Sequence, residues 1–396
     1  MARAFVIAPN LPYPTRSGAD LRTTSVLKAL GEEGAVAVFG IGRTRIERPP
    51  ISNLHAWETT SAAAVLAHDQ SLPDSRWISE PDWVPSDRYF SKAIANEIFE
   101  VMSDFRPEIV VLEQLVTAGY LEIAETSGGK VILDAHNVES HLHAEMAQAE
   151  RGVRRMVRKH FAERVELLES RVVKAVDRVW ACSESDRALF LAMDSVPVDV
   201  VPNGIEPSRY EGVRSRRNQP ESPPVLLFPA NFGYEPNVRA AEFLARELVP
   251  VVSSRWPGSQ FLLPGRDPQP DLIELARSVG IEMPGAVDDI LGFFERATAM
   301  VVPLFEGGGT RLKVLEAFAS ELPVIATAKA VEGLDLEEGI HYLRAEEPRD
   351  YVEALDALMA GSSTMTKTAR MLVEDKYSQR AVDRSVGDSL ETLEAA

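Results

Sequence analysis

Short runs of β-branched and other apolar residues alternate along the chain with segments of helical length, and the alternation occurs in two blocks. This pattern is typical of α/β domains, in which helices cover a parallel sheet. A chain of 396 residues also exceeds one ordinary core, so we expect two domains. The predicted strands are Ala4–Ala8, Val36–Phe39, Ile109–Leu112, Val131–Leu133, Val179–Cys182 and Val198–Val201, and then Val225–Phe228, Gln260–Leu263, Met300–Pro303 and Val324–Ala326.

The segments between the strands predict helices and one linker. Residues 43–90 are rich in Pro, Ser and Trp and predict a partly irregular excursion. Residues 214–224 are polar and proline-rich and predict a linker between domains 1–213 and 225–376. The default ligand site is then a cleft between the two domains. The predicted helices are Gly18–Leu30, Ser91–Phe105, Glu145–Val176, Val238–Ser254, Leu272–Val279, Leu312–Ser320, Tyr351–Met359, Thr366–Glu374 and Gln379–Leu393.

The charge and the cysteine content limit the classes of function. The formal net charge is −18, which argues against nucleic acid as a partner because nucleic-acid-binding surfaces are basic. The single cysteine, Cys182, excludes an internal disulfide framework and fits a reducing compartment. The first apolar run is too short for a signal peptide, and no run approaches the roughly 20 residues of a membrane span. We therefore expect a cytoplasmic protein.

The stretch Val301–Gly333 carries the strongest functional signal, because a buried strand, three glycines and a helix start follow one another there. Glycines let the backbone approach a ligand closely, and Thr310 is the predicted N-cap. Arg311 and Lys313 lie in the first turn, where the helix dipole favours acidic residues; two cations there suit a diphosphate. Glu316 is predicted on the same helix edge, accepting bonds from two sugar hydroxyls. A glycine-rich turn with solvated charges is the alternative.

Two features of the first block also predict site residues. His136 follows a strand end, where the ligand sites of α/β sheets form; a histidine that caps the next helix is the alternative. Together with His141 and His143, near Asp134, it raises the question of a metal site. The spacing does not suit zinc, and we predict no metal. Gly18 begins a helix whose N–H groups are placed to contact a diphosphate, with a plain turn as the alternative.

The stretch Arg151–Lys174 holds eight basic residues on this acidic chain. Weak peripheral contact with a membrane, or with a charged acceptor, is one interpretation. Glu163, Glu166 and Glu169 interleave with the basic residues at helical spacing, so a solvated helix face is the favoured one.

The motif GGGTRLKVLEAFASELPVIAT, Gly307–Thr327, resembles the donor-binding segment of retaining glycosyltransferases of family 4. That family has the GT-B fold: two Rossmann-like domains face each other across a cleft, and a final helix, here within 377–396, crosses back to the N-terminal domain. The likeness also covers Pro12–Gly18, Asp134–Glu139, Val201–Gly204, Phe228–Asn237 and Gly285–Asp288.

The resemblance implies a metal-independent, hexosyltransferase-like enzyme that retains the anomeric configuration. The donor is a nucleoside-diphosphate sugar, with UDP or GDP as the expected nucleotide, and no cofactor is needed. The acceptor is a glycan, a lipid-linked molecule or a small molecule. The implied catalytic residues are His136, Arg311 and Lys313. The implied donor-binding residues are Gly18, Val287, Glu306, Gly308, Gly309, Thr310 and Glu316.

The chain departs from the family pattern at two places. Many members carry two glutamates eight positions apart, but Gly308 stands eight positions before Glu316, and Glu306 stands ten before it. Many members also place an Arg and a Lys after the first strand of the second domain, where this chain has Asn231 and Asn237. Another GT-B enzyme, such as a nucleotide-sugar epimerase, or a non-catalytic nucleotide-sugar-binding protein remains an alternative.

Overall fold

The structure, a computed structural model, describes residues 2–13, 15, 17–42, 48–60, 84–213, 223–308, 311–361 and 364–394. These residues divide into two compact units. One contains the chain up to Gly204, Gly308 and the segment from Gln379; the other contains 205–307 and 311–378. Most of the predicted linker, 214–222, lies outside the described residues. The domain boundaries therefore stay a prediction.

The first unit is built on a parallel sheet of seven strands. They are β1 Ala2–Ala8, β2 Gly34–Gly40, β3 Leu54–Thr59, β4 Ile109–Glu113, β5 Lys130–Asp134, β6 Arg178–Ala181 and β7 Val198–Val200. Their order is β3-β2-β1-β4-β5-β6-β7. The central strands are almost continuously apolar and buried because helices cover both faces of the sheet. The order reverses between β1 and β4, and ligands of such sheets bind beyond the carboxyl ends of the strands at that point.

The helices of the first block include one that the sequence pattern describes wrongly. They are α1 Gly18–Glu33, α2 Lys92–Phe105, α3 Leu121–Glu125, α4 Glu139–Ala149, α5 Gly152–Ala175 and α6 Glu184–Met193. The single helix predicted over Glu145–Val176 is two helices, α4 and α5. Gly152 has a φ of 60°, a left-handed conformation that glycine adopts without strain, and the chain breaks there.

The segment 43–90 also contains regular structure that the sequence pattern misses. β3 pairs in parallel with β2 at the edge of the sheet, and a 3₁₀ turn covers 85–88. Residues 43–47 and 61–83 lie outside the described residues. β3 is thus a regular element that was not predicted, and the prediction of a partly irregular excursion is not tested over 43–47 and 61–83.

The second unit is a smaller parallel sheet with five strands. They are β8 Val225–Leu227, β9 Gln260–Leu262, β10 Ala299–Val302, β11 Val324–Ala326 and β12 Leu343–Arg344, in the order β12-β11-β10-β8-β9. The order reverses between β8 and β10. The loops after those two strands therefore flank the crevice where sheets of this kind bind ligands.

Helices surround the second sheet, and all except Leu291–Arg296 lie close to predicted positions. They are α7 Glu235–Phe243, α8 Val249–Arg255, α9 Pro270–Ser278, α10 Leu291–Arg296, α11 Leu312–Ala319, α12 Pro348–Met359 and α13 Thr364–Lys376. The helix predicted over Val238–Ser254 begins earlier, with Pro236 in its first turn, where its missing N–H costs nothing. A π turn at Leu244–Leu248 divides it into α7 and α8.

The last helix, α14 Gln379–Glu394, belongs to the first unit and confirms the predicted crossover. Val382 and Val386 lie in the same buried apolar cluster as residues of α1, β1 and β2. The Trp180 Nε1–H group on β6 donates a hydrogen bond of 2.8 Å to the Ser389 hydroxyl oxygen. Apolar burial and a buried polar contact together hold the C-terminal segment on the first sheet.

Candidate functional site

The loop after β10 leads into α11 at the edge of the second sheet where the strand order reverses. The helix begins at Leu312, with Arg311 at the N-cap position, one residue later than the predicted cap. Thr310 and Gly309 lie outside the described residues. Lys313 lies in the first turn, which carries no acidic residue, so the positive end of the helix dipole and a cation coincide there.

Lys313 is tied to the loop that follows β8. Its Nζ donates a hydrogen bond of 3.1 Å to Asn237 Oδ1 and lies 4.3 Å from the centroid of the Phe228 ring. Asn237 Nδ2 donates in turn to the Asn231 carbonyl at 2.8 Å. Burial, reinforced by the Arg311 charge, lowers the pKa of Lys313 to about 7. The start of α11 is thus joined through this ammonium to the start of α7 and, through Asn237, to the loop after β8.

Arg311 is the buried cation of the same loop, with 8% of its surface exposed. Its guanidinium donates to the Gly307 carbonyl at 3.3 Å and lies 3.6 Å from a Glu332 carboxylate oxygen. Gly307 has a φ of 94°, and a Cβ there would lie 2.8 Å from the Tyr234 hydroxyl, so only glycine fits. Arg311 therefore fixes the glycine loop as well as bringing charge to it.

Glu306 is half-buried and already holds a cation. Its carboxylate lies 2.8 Å from the Arg239 guanidinium, which also pairs with Glu235 at 2.7 Å. The structure therefore places this predicted donor-binding carboxylate in an ion pair on α7.

Glu316 follows one turn after Lys313 and has a partner that the sequence does not reveal. Tyr210, at the end of a 3₁₀ turn over Pro207–Tyr210, donates a hydrogen bond of 2.6 Å to Glu316 Oε1. The Tyr210 side chain is buried, and its ring centroid lies 5.9 Å from that of Phe294. Burial raises the pKa of Glu316, while the bond from Tyr210 opposes the rise. Tyr210 thereby fixes one carboxylate oxygen.

Val287 lies half-buried in the loop that passes the carboxyl ends of β8 and β9. Nearby, the Gly265 N–H donates to the Gly285 carbonyl at 2.8 Å, and a Cβ on Gly265 would lie 1.7 Å from the Ala230 carbonyl oxygen. Only glycine permits this approach of three loops. Val287 lies two residues after Gly285 in this loop, and its contact with the donor stays a prediction.

In the first unit, β4 and β5 both end in a carboxylate, and their register places Glu113 opposite Asp134. His136 Nε2 lies 2.9 Å from Glu113 Oε1 and 4.0 Å from Asp134 Oδ2. Arg22, on α1, donates to Asp134 Oδ1 through two nitrogens and to Asn203 Oδ1 at 3.1 Å. All five side chains are buried. The His136 ring is therefore held by a polar network at the carboxyl edge of the sheet.

The charge state of this network follows from its burial. Burial, with help from the Arg22 cation, lowers the pKa of His136 to about 4, so the imidazole is neutral at pH 7. Burial raises the pKa of Asp134 to about 7 against the opposing charge of Arg22. Burial likewise raises the pKa of Glu113. Arg22 balances one carboxylate, and the raised pKa values favour a proton on the other.

His136 does not cap α4, which excludes the helix-cap alternative. The N-cap of α4 is Val138, and the carboxylate of Glu169 on α5 takes the first N–H groups. Glu169 Oε1 accepts from Glu139 N at 2.8 Å, and Oε2 accepts from Ser140 N at 3.1 Å. The helix after the His136 loop is capped from within the protein.

Glu113, Asp134 and His136 form the cluster of possible metal ligands, with their nearest atoms within 4.8 Å of one another. The other two histidines of the sequence pattern do not join it: His141 lies 3.5 Å from Glu145 and His143 lies 3.9 Å from Glu139. The adjacent Arg22 guanidinium opposes a divalent cation by charge repulsion. The absence of a resident metal stays a prediction.

Gly18 is the first residue of α1, as predicted. Ser17 is the N-cap, and its hydroxyl oxygen accepts a hydrogen bond of 3.1 Å from Asp20 N. The helix is thus capped by its own Ser17 side chain. A contact between the Gly18 N–H group and a ligand stays a prediction.

The chain matches two family models. "Glycosyltransferase Family 4" matches residues 61–209, and "Glycosyl transferases group 1" matches residues 223–361. No curated protein sequence matches the chain significantly.

Solved structures with the same fold cover the whole chain. Sucrose-phosphate synthase from Thermosynechococcus elongatus is 16% identical, covers 100% of each chain and gives a TM-score of 0.75. HepE from Anabaena, in complex with UDP and glucose, is 12% identical, covers 98% of this chain and 99% of its own, and gives 0.66. A UDP-forming α,α-trehalose-phosphate synthase from Burkholderia xenovorans is also 12% identical, covers 100% of each chain and gives 0.65. At these identities the likeness shows the fold.

Two parallel α/β units and matches along most of the chain define a glycosyltransferase of the GT-B class. Within that class, the match over residues 61–209 is to glycosyltransferase family 4.

Proposed function

We propose that this protein transfers a hexose from a nucleoside-diphosphate sugar to an acceptor hydroxyl, with retention of the anomeric configuration and without a metal ion. The observation that carries the proposal is the setting of Lys313. Its half-buried ammonium has a lowered pKa and lies at a helix start, beside Arg311 and a glycine loop. A diphosphate supplies the negative charge that such a site lacks. UDP is one expected nucleotide because the HepE structure contains UDP and the trehalose-phosphate synthase is UDP-forming; GDP is the other.

Each remaining site residue is assigned a role in this proposal. Glu316, with one oxygen held by Tyr210, accepts hydrogen bonds from the ribose hydroxyls. Neutral His136, with Nε2 held by Glu113, presents Nδ1 to a hydroxyl of the transferred sugar. Backbone or loop contacts to the donor come from Gly18, Val287, Gly308, Gly309 and Thr310. Glu306 also contacts the donor, while its carboxylate is paired with Arg239.

The chemistry is a substitution at the anomeric carbon. The bond from that carbon to the diphosphate oxygen breaks, and the acceptor oxygen bonds to the same face. A phosphate oxygen takes the proton of the acceptor hydroxyl, so no protein base is required. Charge grows on the diphosphate as the bond breaks, and preorganised cations stabilise it more in the transition state than in the ground state.

The first test is a thermal-shift screen with UDP-glucose, GDP-glucose and dTDP-glucose, since a ligand that binds the folded state raises the melting temperature. The stabilising donor is then incubated with candidate glycan, lipid-linked and small-molecule acceptors in EDTA. Nuclear magnetic resonance of the product reports the anomeric configuration. An inverted product contradicts retention, and activity that EDTA abolishes contradicts metal independence. Conversion of the donor alone to an epimer indicates the epimerase alternative, and tight donor binding without turnover indicates a binding protein.

We expect Glu316→Gln to weaken the free nucleoside diphosphate and the full donor by the same factor. A hydrogen bond to a charged group contributes about 1.5–3 kcal/mol, so a loss of roughly tenfold to hundredfold follows. Calorimetry measures both affinities. Tyr210→Phe removes only the bond that orients the carboxylate and should weaken both ligands less. In the double variant the losses should not add, because both act on one group. Unchanged affinity for the diphosphate in Glu316→Gln excludes the ribose role.

We expect donor affinity to fall as the pH rises above about 7. Burial sets the pKa of Lys313 at about 7 in the free protein, and a bound diphosphate favours its charged form. Below that pH the ammonium is charged before and after binding; above it, binding must add a proton. Affinity should fall about tenfold per pH unit until the pKa of the complex is reached. The sugar nucleotide itself is the probe because its phosphates do not titrate there. A flat profile in the wild type, or an unchanged slope in Lys313→Ala, contradicts this role.

A further inference from the structure

Three of the four most exposed large apolar side chains among the described residues lie on α5. They are Val153, Met156 and Leu167, with 76%, 72% and 64% of their surfaces exposed. Single exposed apolar residues are ordinary on protein surfaces, but three on one helix are not scattered. This concentration of exposed apolar side chains indicates that the outer face of α5 is a binding surface.

The exposed apolar residues and several basic residues share one helical stripe. At 100° per residue, the positions with spacings of three and four lie on one side of the helix. We call this set the α5 stripe, and its members are Val153, Met156, His160, Arg164, Leu167, Arg171 and Lys174. The opposite side, which includes Ala162, Val165 and Val172, is buried in the first unit. The α5 stripe therefore lies along the outer side of the helix, over about 30 Å, with His160 and Arg164 half-buried and its other members exposed.

The charge of α5 is opposite to that of the protein. The helix and its cap hold eight basic residues against three glutamates, on a chain of net charge −18. One of those glutamates, Glu169, is turned inward and caps α4, with only 1% of its surface exposed. The favoured sequence interpretation, a face on which acids neutralise the basic residues, is therefore weakened. Glu163 and Glu166 remain on the flank of the stripe.

Three of these eight basic residues lie at the start of α5. The side chains of Arg151, Arg154 and Arg155 are exposed and make no ion pair or hydrogen bond with the described residues. The first turn holds no acidic residue, so these cations lie at the positive end of the helix dipole. This placement destabilises the helix locally, and a conflict of that kind points to a role in binding.

We infer that the α5 stripe docks the protein on an anionic lipid surface. Val153, Met156 and Leu167 insert at the boundary between the lipid headgroups and the acyl chains. Arg171 and Lys174 extend their charged ends to the lipid phosphates. A second copy of the chain fits this face poorly, because pairing the stripes brings basic side chains together. Among the described helices, none has the length and apolar character that crossing a membrane requires. The contact is therefore peripheral, and it does not depend on the proposed transfer reaction.

The test is co-sedimentation of the full chain with vesicles of phosphatidylcholine mixed with phosphatidylglycerol, and of phosphatidylcholine alone. The wild type should sediment with the mixed vesicles only, and salt should release it. Each basic residue near an anionic surface contributes about a fivefold change in partitioning, so Arg171→Glu with Lys174→Glu should lower it more than about twentyfold. Arg246→Glu with Lys367→Glu, exposed in the second unit, makes the same charge change and should alter it less than about threefold.

The apolar side chains of the α5 stripe are tested with a second set of test and control variants. Met156→Ser with Leu167→Ser should lower partitioning, while Met371→Ser, at a side chain 68% exposed on α13, should not. These side chains are exposed, so circular dichroism should stay unchanged. The inference is overturned if the wild type does not sediment with the anionic vesicles, or if the test and control variants lose binding equally. It is also overturned if sedimentation velocity shows a dimer that the stripe variants abolish.

Discussion

Lys313→Ala should lower kcat/KM by roughly 10²–10³, a larger factor than its effect on the affinity for the intact donor. Removing one preorganised donor at developing charge typically costs about 2.7–4 kcal/mol. Charge develops on the diphosphate as the sugar bond breaks, so the contact strengthens toward the transition state. Steady-state transfer gives kcat/KM, and calorimetry with the unreacted donor gives Kd.

Matched variants separate this role from general electrostatics. Lys367→Ala removes an exposed lysine on α13 and should leave both quantities unchanged. Arg311→Lys should be poorly tolerated, because lysine cannot reproduce a bidentate contact or the bond from the guanidinium to the Gly307 carbonyl. Since Arg311 also fixes the glycine loop, circular dichroism must show that this variant is folded. A folded Lys313→Ala enzyme with near-normal turnover contradicts the assignment.

His136→Ala should lower kcat by about 10²-fold or more while the free nucleoside diphosphate binds almost as before. The reason is that, in the proposed function, the imidazole contacts the transferred sugar and not the nucleotide. Glu113→Gln should lower kcat less, because the amide still bonds to the ring and only the charge of the network changes. Transfer rates and calorimetry with the free diphosphate measure the two effects.

The control for His136 is another histidine close in sequence. His141→Ala, at a side chain 51% exposed on α4, should leave kcat and diphosphate binding unchanged. If His136→Ala damages diphosphate binding and turnover equally, its role is structural and the proposed sugar contact is wrong.

The fold was predictable wherever an element is buried on all sides, because its sequence is then a continuous run of apolar residues. Strands such as β4 and β10 lie between helices on both faces, so their sequences are continuous apolar runs. β3 was missed because it is an edge strand whose exposure alternates irregularly and whose segment is rich in polar residues. The break between α4 and α5 was missed because the charged helical pattern continues across it, whereas Glu150 and Arg151 have extended backbone and Gly152 has a positive φ.

The candidate site was predictable where its residues are local in sequence. Arg311, Lys313 and Glu316 lie on one helix start, and a single motif identifies them. Tyr210 was missed because its bond to Glu316 joins residues 106 positions apart, and no sequence pattern marks Tyr210. Glu113 had a usable signal: two neighbouring buried strands each end in a carboxylate, which parallel register brings together.

The central claim is that Arg311 and Lys313 hold the donor's diphosphate, and nucleotide binding tests it without any acceptor. Calorimetry compares the nucleoside diphosphate with the corresponding monophosphate in the wild type and in Lys313→Ala. The account predicts that the wild type binds the diphosphate more tightly by about tenfold or more, and that most of this preference disappears in the variant, because a charged hydrogen bond to the second phosphate is lost. An unchanged preference in a folded Lys313→Ala protein would contradict the account.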